Sequence, residues 1–212
     1  MRQIVKDLKQ FTDDKYKKFT SGLLPGVNYI LGVRVPQIRA YAKTFSLEEA
    51  QEYCSKYKVK YFEEYFLKAL LLAKICKQVP PQKAVKMIEE FIPQISNWSV
   101  CDAFCADLKF IKKHQEIFLP LVLKNLKSKA EFAQRTALNL ARAYYLDDIY
   151  AKQIVNAVTK IKPGLYYAQM AQAWFMCEAC IKQPKYANPA LKLLTPDVYK
   201  MAERKIKDSY RI

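Results

Sequence analysis

Residues Tyr61–Lys77 read YFEEYFLKALLLAKICK, and this stretch determines the class of fold. Its apolar residues recur every three or four positions rather than every two, at 62, 65, 66, 69, 72, 73 and 76. That spacing is close to the 3.6 residues per turn of an α-helix, and it directs Glu64, Lys68 and Lys74 away from the apolar face. We therefore predict an amphipathic helix over 61–77.

The same periodicity on both sides of this stretch predicts further helices, and no segment predicts a strand. Pro36 stands where a helix begins, and Ser46 precedes two glutamates as a helix cap would. The predicted helices cover residues 3–19, 36–44, 47–57, 61–77, 81–92, 99–110, 114–127, 130–145, 148–161, 165–182 and 196–209.

Short connections between these helices predict stacked antiparallel helix pairs. Each pair takes about 35 to 40 residues, the size of a HEAT or armadillo repeat. We therefore predict an all-α fold, a HEAT-like α-solenoid that forms a single domain over 1–212. Such a stack leaves a concave face lined by polar side chains. A globular helix bundle is the alternative that the spacing leaves open.

The charge balance indicates a polyanionic partner. Lys and Arg number 36 against 20 Asp and Glu, a net charge of +16, so the concave face is expected to be basic and nucleic acid is the expected partner. Only four glycines occur, which excludes a P-loop and a dinucleotide fingerprint. The most apolar stretch, Phe66–Cys76, is too short to span a membrane. The N-terminus has no apolar signal region, so we expect a cytoplasmic protein.

The six cysteines are expected to be buried and reduced. Most lie in apolar helical runs, where a thiol behaves as a small hydrophobic group. Cys177-x-x-Cys180 is half of a zinc site at most, and His114 is the only histidine. We therefore expect no metal, no cofactor and no Ser/His/Asp or Cys/His nucleophilic system.

General base chemistry then falls to carboxylates, and Asp102 has the most notable surroundings. The segment 96–102 reads SNWSVCD, which places Trp98 four residues before Asp102 and on the same face of a helix. A structural alternative is a capping box with Ser99 as N-cap and Asp102 bonded back to it.

The predicted helix around Arg135 carries a second candidate cluster. Residues 133, 137, 140, 141 and 144 form its predicted buried stripe, and Arg135, Asn139 and Arg142 project from the opposite side. Because only seven arginines accompany 29 lysines, two on one face suggest a planar partner such as phosphate. A solvated face is the alternative. Trp174 lies in the predicted helix 165–182, and the simplest interpretation is that its side chain fills the core.

At these residues the chain resembles the AlkD-like DNA alkylation repair proteins. These are HEAT-like DNA glycosylases that release bases alkylated at purine N3 or N7. The resemblance rests on five matches in the family's order: the G-x-R-x-P-x-x-R pattern over 32–39, Asn97-Trp98-x-x-x-Asp102, Arg135, Ala173-Trp174 and the ending 205–211. Asp208 departs conservatively from the Glu that the family often has.

The resemblance implies a metal-free, cofactor-free glycosylase that acts as a monomer on double-stranded DNA containing alkylated purines. It implies catalytic roles for Asp102, Trp98 and Trp174, and DNA-phosphate contacts for Arg135, Arg142, Arg34 and Arg39. Two alternatives stay open at this point. One is a non-catalytic binder of damaged or structured DNA, and the other is a protein-interaction solenoid.

Overall fold

The computed structural model describes residues 3–209, and this part of the chain is all-α, as predicted. It contains no strand, only an isolated bridge between Thr12 and Val33. None of its helices combines the length and the apolar character that a bilayer span requires. The α-helices are α1 Ile4–Lys9, α2 Asp14–Leu23, α3 Val35–Lys43, α4 Leu47–Lys56, α5 Phe62–Cys76, α6 Pro81–Phe91, α7 Trp98–Asp107, α8 Gln115–Leu126, α9 Glu131–Tyr144, α10 Ala151–Thr159, α11 Tyr166–Lys182, α12 Pro184–Ala190 and α13 Pro196–Lys207. Short 3-10 helices cover Ile92–Gln94, Lys109–Lys113 and Leu191–Leu193.

The helices group into two compact units. The first comprises the described residues up to Met87 together with Asn97–Leu108. The second comprises Ile88–Ser96 and the described residues from Lys109 onward. A single domain, the solenoidal stacking and the basic concave face stay predictions.

Helix α5 is the centre of the first unit and packs against α3, α4 and α7. It is buried on nearly all sides, so the prediction that Glu64 faces away from the apolar surface is wrong. The carboxylate of Glu64 accepts hydrogen bonds from the amides of Lys60 and Tyr61, at 3.0 and 2.9 Å. These bonds satisfy amides that open the helix, which explains how an acid is tolerated there.

A second buried acid, Glu63, fixes the loop that leads into α3. Its two carboxylate oxygens accept hydrogen bonds from the amides of Leu31, Gly32 and Val33, at 2.9, 2.8 and 3.2 Å. Gly32 has a φ of +95°, a conformation that favours glycine. Its carbonyl accepts a hydrogen bond from the amide of Asp13 at 3.0 Å, which draws the start of α2 against the loop.

The predicted helix over 3–19 is two helices, because the chain changes direction at residues 10–13. The side chain of Asp13 caps α2 by accepting a hydrogen bond from the amide of Tyr16 at 3.0 Å. Thr12 pairs with Val33 instead of continuing α1. Short polar side chains that bond local amides compete with a continuous helix, and the apolar periodicity does not register this.

Helices α9 and α11 are the centre of the second unit. Helix α9 packs against α8 and α11, and α11 also packs against α12 and α13. The short helix α12 was absent from the sequence prediction. It begins at Pro184 and contains Pro189, so its composition resembles that of a loop.

Two predicted helix starts are confirmed. Pro36 lies in the first turn of α3. The hydroxyl of Ser46 accepts a hydrogen bond from the amide of Glu49 at 3.1 Å, and the Glu49 carboxylate accepts one from the amide of Ser46 at 2.8 Å. This reciprocal pair is a capping box.

The prediction of buried thiols is confirmed for five of the six cysteines, and Cys54 is the exception because it is partly exposed. None of the six forms a disulfide. Burial raises the pKa of Cys54 and Cys76 to about 12 and that of Cys180 to about 11. A thiol reacts as its thiolate, so these three are expected to be poor nucleophiles at neutral pH.

Candidate DNA-binding and catalytic residues

Helix α7 begins two residues earlier than the capping alternative requires. Its N-cap is Asn97, whose side-chain oxygen accepts a hydrogen bond from the amide of Val100 at 3.0 Å. Ser99 therefore lies inside the helix, and the capping box that would pair it with Asp102 is wrong. Asp102 lies in the second turn, beyond the amides that a capping side chain satisfies.

Trp98 and Asp102 lie one helical turn apart on α7, and both are half-buried. The indole Nε1 of Trp98 donates a hydrogen bond to the carbonyl of Leu23 at 3.0 Å, which anchors the ring to the end of α2. Trp98 also lines a cavity of about 290 Å³ with Tyr16, Phe66 and other mostly apolar side chains. The sequence had given no sign of a cavity here.

The arginines of the G-x-R-x-P-x-x-R pattern are both held by carboxylates of the first unit. Arg34 Nη2 donates to Asp13 Oδ2 at 2.8 Å, and its guanidinium lies 4.9 Å from the centre of the Tyr16 ring. Arg39 Nη1 donates to Asp107 Oδ2 at 2.7 Å. The amide of Tyr16 and the guanidinium of Arg34 lower the pKa of Asp13. Phosphate contacts by Arg34 and Arg39 stay a prediction.

Arg135 and Asn139 do not project from a solvated face of α9. They are 5% and 4% exposed, because α9 is covered by both α8 and α11. Arg135 Nη1 donates to the carbonyl of Tyr167 at 2.7 Å, and its guanidinium lies 6.0 Å from the centre of the Tyr167 ring. Arg135 therefore ties α9 to the start of α11, and its predicted phosphate contact stays untested.

Trp174 is 43% exposed, so the simple reading of it as a core residue is wrong. Lys205 Nζ lies 3.7 Å from the centre of its ring, and the guanidinium of Arg142 lies 6.0 Å from the same point. The three side chains come from α13, α11 and α9, and we call them the tryptophan cluster. Burial lowers the pKa of Lys205, and the charges of Arg204 and Arg142 lower it further.

Arginines of α9 and aromatic rings of α11 form two similar pairs. Arg135 faces Tyr167 and Arg142 faces Trp174, each with 6.0 Å between guanidinium carbon and ring centre. Seven residues separate the two pairs along both helices, which is about 10 Å at 1.5 Å per residue. The two helices therefore keep one register over this distance.

The structure thus groups the predicted residues within each unit. In the first unit Trp98 and Asp102 share one face of α7, and in the second Arg142 and Trp174 share a cluster. The first group can place a carboxylate beside a substrate, and the second can present positive charge beside an exposed ring.

Sequence reasoning missed two residues, Glu63 and Lys205. An acid within the apolar run 62–76 was the available signal for Glu63, since a buried carboxylate requires hydrogen-bond partners. Lys205 was counted only as the first residue of the ending 205–211, which gave it no role of its own. Its partner Trp174 lies 31 residues earlier, so the sequence contains no local signal of their contact.

The exposure and the charge around Trp174 predict its response to ionic quenchers. In a Trp98→Phe variant all tryptophan fluorescence comes from Trp174, because the chain has two tryptophans. We expect iodide to quench it more strongly than caesium, since Lys205 and Arg142 attract anions to the ring. Stern–Volmer titrations at constant ionic strength measure the difference. A Trp174→Phe variant reports on Trp98 alone, and equal quenching of Trp174 by both ions would contradict the expected role of the cations.

Comparisons with known proteins identify the family and the fold. A family model described as DNA alkylation repair enzyme matches residues 4–207. A solved structure, described as a predicted DNA alkylation repair enzyme from Enterococcus faecalis, is 16% identical with a TM-score of 0.73, over 94% of this chain and 96% of that chain. At this identity the likeness shows the fold alone. No curated protein sequence matches the chain. Since the family model covers nearly all of the sequence, as the motifs indicated, the chain belongs to the DNA alkylation repair enzyme family.

Proposed function

We propose that this protein is a DNA glycosylase that hydrolyses the N-glycosidic bond of N3- and N7-alkylated purines. The observation that carries this proposal is the placement of Asp102 on α7. It is half-buried, one turn from Trp98, and its helix is already capped by Asn97. A half-buried carboxylate on the same helix face as an aromatic side chain is suited to a reaction that develops positive charge.

The chemistry of alkylated purines explains why one carboxylate suffices. Alkylation at N3 or N7 makes the base cationic, so it leaves as a neutral molecule and needs no general acid. As the C1′–N bond breaks, positive charge accumulates on the deoxyribose, as in glycoside hydrolysis. Asp102 provides the negative charge that stabilises this sugar cation and orients the water that attacks C1′. The water adds at C1′ and loses a proton, which leaves an abasic site.

The aromatic and basic residues would hold the DNA for this step. Trp98 is anchored through Leu23, so its ring has a fixed position from which to contact the sugar. In the second unit Trp174 and Arg142 would contact the phosphate backbone, and Arg135 would hold the start of α11 in place. We expect double-stranded DNA to be the substrate and no cofactor to be required.

A base-release assay tests the proposal directly. Purified protein is incubated with duplex DNA containing N7-methylguanine or N3-methyladenine, and the released bases are identified by mass. We expect free alkylated base together with an equal amount of abasic sites. Tight binding to the same duplex without release would instead indicate a non-catalytic binder of damaged DNA. Neither release nor binding would favour a protein-interaction solenoid.

A further inference from the structure

The tryptophan cluster brings two cations to one exposed ring in the second unit. Both Lys205 and Arg142 lie within 6.0 Å of the centre of the Trp174 ring, although the three residues are on three different helices. Lys205 lies directly over a ring face, at 3.7 Å. Its backbone is fixed as well, because the thiol of Cys177 on α11 donates a hydrogen bond to the Lys205 carbonyl at 3.4 Å.

Neither of these two cations has a carboxylate partner, whereas several other basic residues of the described chain do. Arg34 pairs with Asp13 and Arg39 pairs with Asp107. Lys207, near Lys205 on α13, pairs with Glu203. Within residues 3–209, neither Arg142 nor Lys205 forms an ion pair with an acid.

Holding two like charges near one point is unfavourable unless an anion neutralises them. Burial lowers the pKa of Lys205, and the positive charges of Arg204 and Arg142 lower it too, whereas Cys177 and Asp208 raise it. The ring of Trp174 compensates in part, because its electron-rich face attracts cations. A bound anion would compensate further, and a planar guanidinium beside an ammonium suits the oxygens of a phosphate.

We propose that Lys205 and Arg142 bind one phosphate group of the DNA backbone together, with the ring of Trp174 holding both cations in place. This proposal assigns a DNA contact to Lys205. It also makes Trp174 a positioning residue, because Lys205 covers the face of the indole ring on which a DNA base would otherwise stack. The proposal rests on the proposed function in one respect, that DNA is the substrate.

The salt dependence of duplex binding tests this contact independently of catalysis. Each phosphate contact that releases a counterion contributes about 0.9 to the slope of log Kd against log salt concentration. Because Arg142 still contacts the same phosphate, we expect Lys205→Ala to lower the slope for unmodified duplex by up to about 0.9 and to weaken binding roughly threefold to tenfold near 0.1 M salt. Lys205→Arg keeps the charge and should restore the slope.

The matched control is Lys200→Ala. Lys200 is an exposed lysine on the same helix, five residues from Lys205, so it projects about 140° away around α13. Its removal should leave the slope unchanged. A Trp174→Leu variant retains both cations but lacks the ring, and it should lower the slope at least as much as Lys205→Ala. Circular dichroism melting curves establish that each variant is folded.

The results separate failure of this proposal from failure of the proposed function. If wild-type protein releases alkylated bases but Lys205→Ala keeps the wild-type slope, the phosphate contact is wrong and the glycosylase proposal stands. If no base is released but the salt slope still falls in Lys205→Ala and recovers in Lys205→Arg, the phosphate contact is supported and the glycosylase proposal is wrong. Equal effects of Lys200→Ala and Lys205→Ala would overturn the contact, because they would show general charge attraction.

Kinetics provide a second readout where base release occurs. A phosphate contact made equally in the ground state and the transition state changes KM and leaves kcat nearly unaltered. We therefore expect Lys205→Ala to raise KM with kcat within about twofold of wild type. A fall in kcat with unchanged KM would contradict a backbone contact.

Discussion

The Asp102→Asn variant is expected to release alkylated bases about a thousandfold more slowly than the wild-type protein. A carboxylate about 4 Å from a full positive charge gains about 4 kcal/mol at an effective dielectric constant of about 20. At 1.36 kcal/mol per factor of ten, this corresponds to roughly three orders of magnitude in rate. Asparagine keeps the shape of the side chain and removes its charge, so duplex binding and the melting temperature should stay close to wild type. Single-turnover base release measures the effect without interference from product dissociation.

An Asp197→Asn variant is the control for this experiment. Asp197 is an exposed acid in the first turn of α13. Its substitution removes one negative charge, as Asp102→Asn does, and should lower the free energy of unfolding by less than about 1 kcal/mol. Base release by this variant should match wild type. If Asp102→Asn itself keeps a rate within about threefold of wild type, Asp102 does not stabilise the sugar cation.

The second large effect is expected from Gly32→Ala, which should destabilise the protein by about 3 to 4 kcal/mol. Gly32 has a φ of +95°, and a Cβ placed there would lie 2.7 Å from Cβ of Lys17 and 2.8 Å from the carbonyl oxygen of Asp13. Neither atom is at the flexible end of a side chain, so α2 would have to move away from the loop. Movement of the loop would also disturb the amides bound by Glu63. Urea unfolding followed by circular dichroism measures the change.

Gly22→Ala is the matched control, and it should change stability in the opposite direction. Gly22 lies in α2, has open space around its Cα and does not require a positive φ. Alanine is favoured over glycine in a helix, so this variant should gain about 0.5 kcal/mol. If both variants lost the same stability, the left-handed conformation of Gly32 would not explain its effect.

The helical fold was largely predictable because it follows from local patterns. The helix over 62–76 and the cap at Ser46 both depend on residues within one or two turns. Both were predicted correctly, although α5 is buried on nearly all sides instead of on one face. The prediction failed where contacts between distant residues decided the outcome. The break between α1 and α2 depends on pairing of Thr12 with Val33, and the burial of Glu63 depends on the amides of a loop 30 residues earlier.

The candidate site shows the same division between local and distant contacts. Trp98 and Asp102 are four residues apart, so a helix alone places them together, as predicted. Arg135 was expected to project away from the buried side of the helix, toward a phosphate, because the pattern of α9 shows one apolar stripe. Its burial results from α11, which packs on the side that the stripe leaves polar. Lys205 could not be selected from its own surroundings, because Trp174 contacts it from another helix.

The common register of α9 and α11 restricts how the chain length can vary in this region. A single residue inserted into α9 between Arg135 and Arg142 would turn one arginine by about 100° relative to the other. One of the two pairs, with Tyr167 or with Trp174, would then be lost. An insertion in the connection between α9 and α10 would change neither helix internally. Length variation in this part of the second unit therefore preserves both pairs when it falls in the loops. Within the two helices it would require compensating insertions in both.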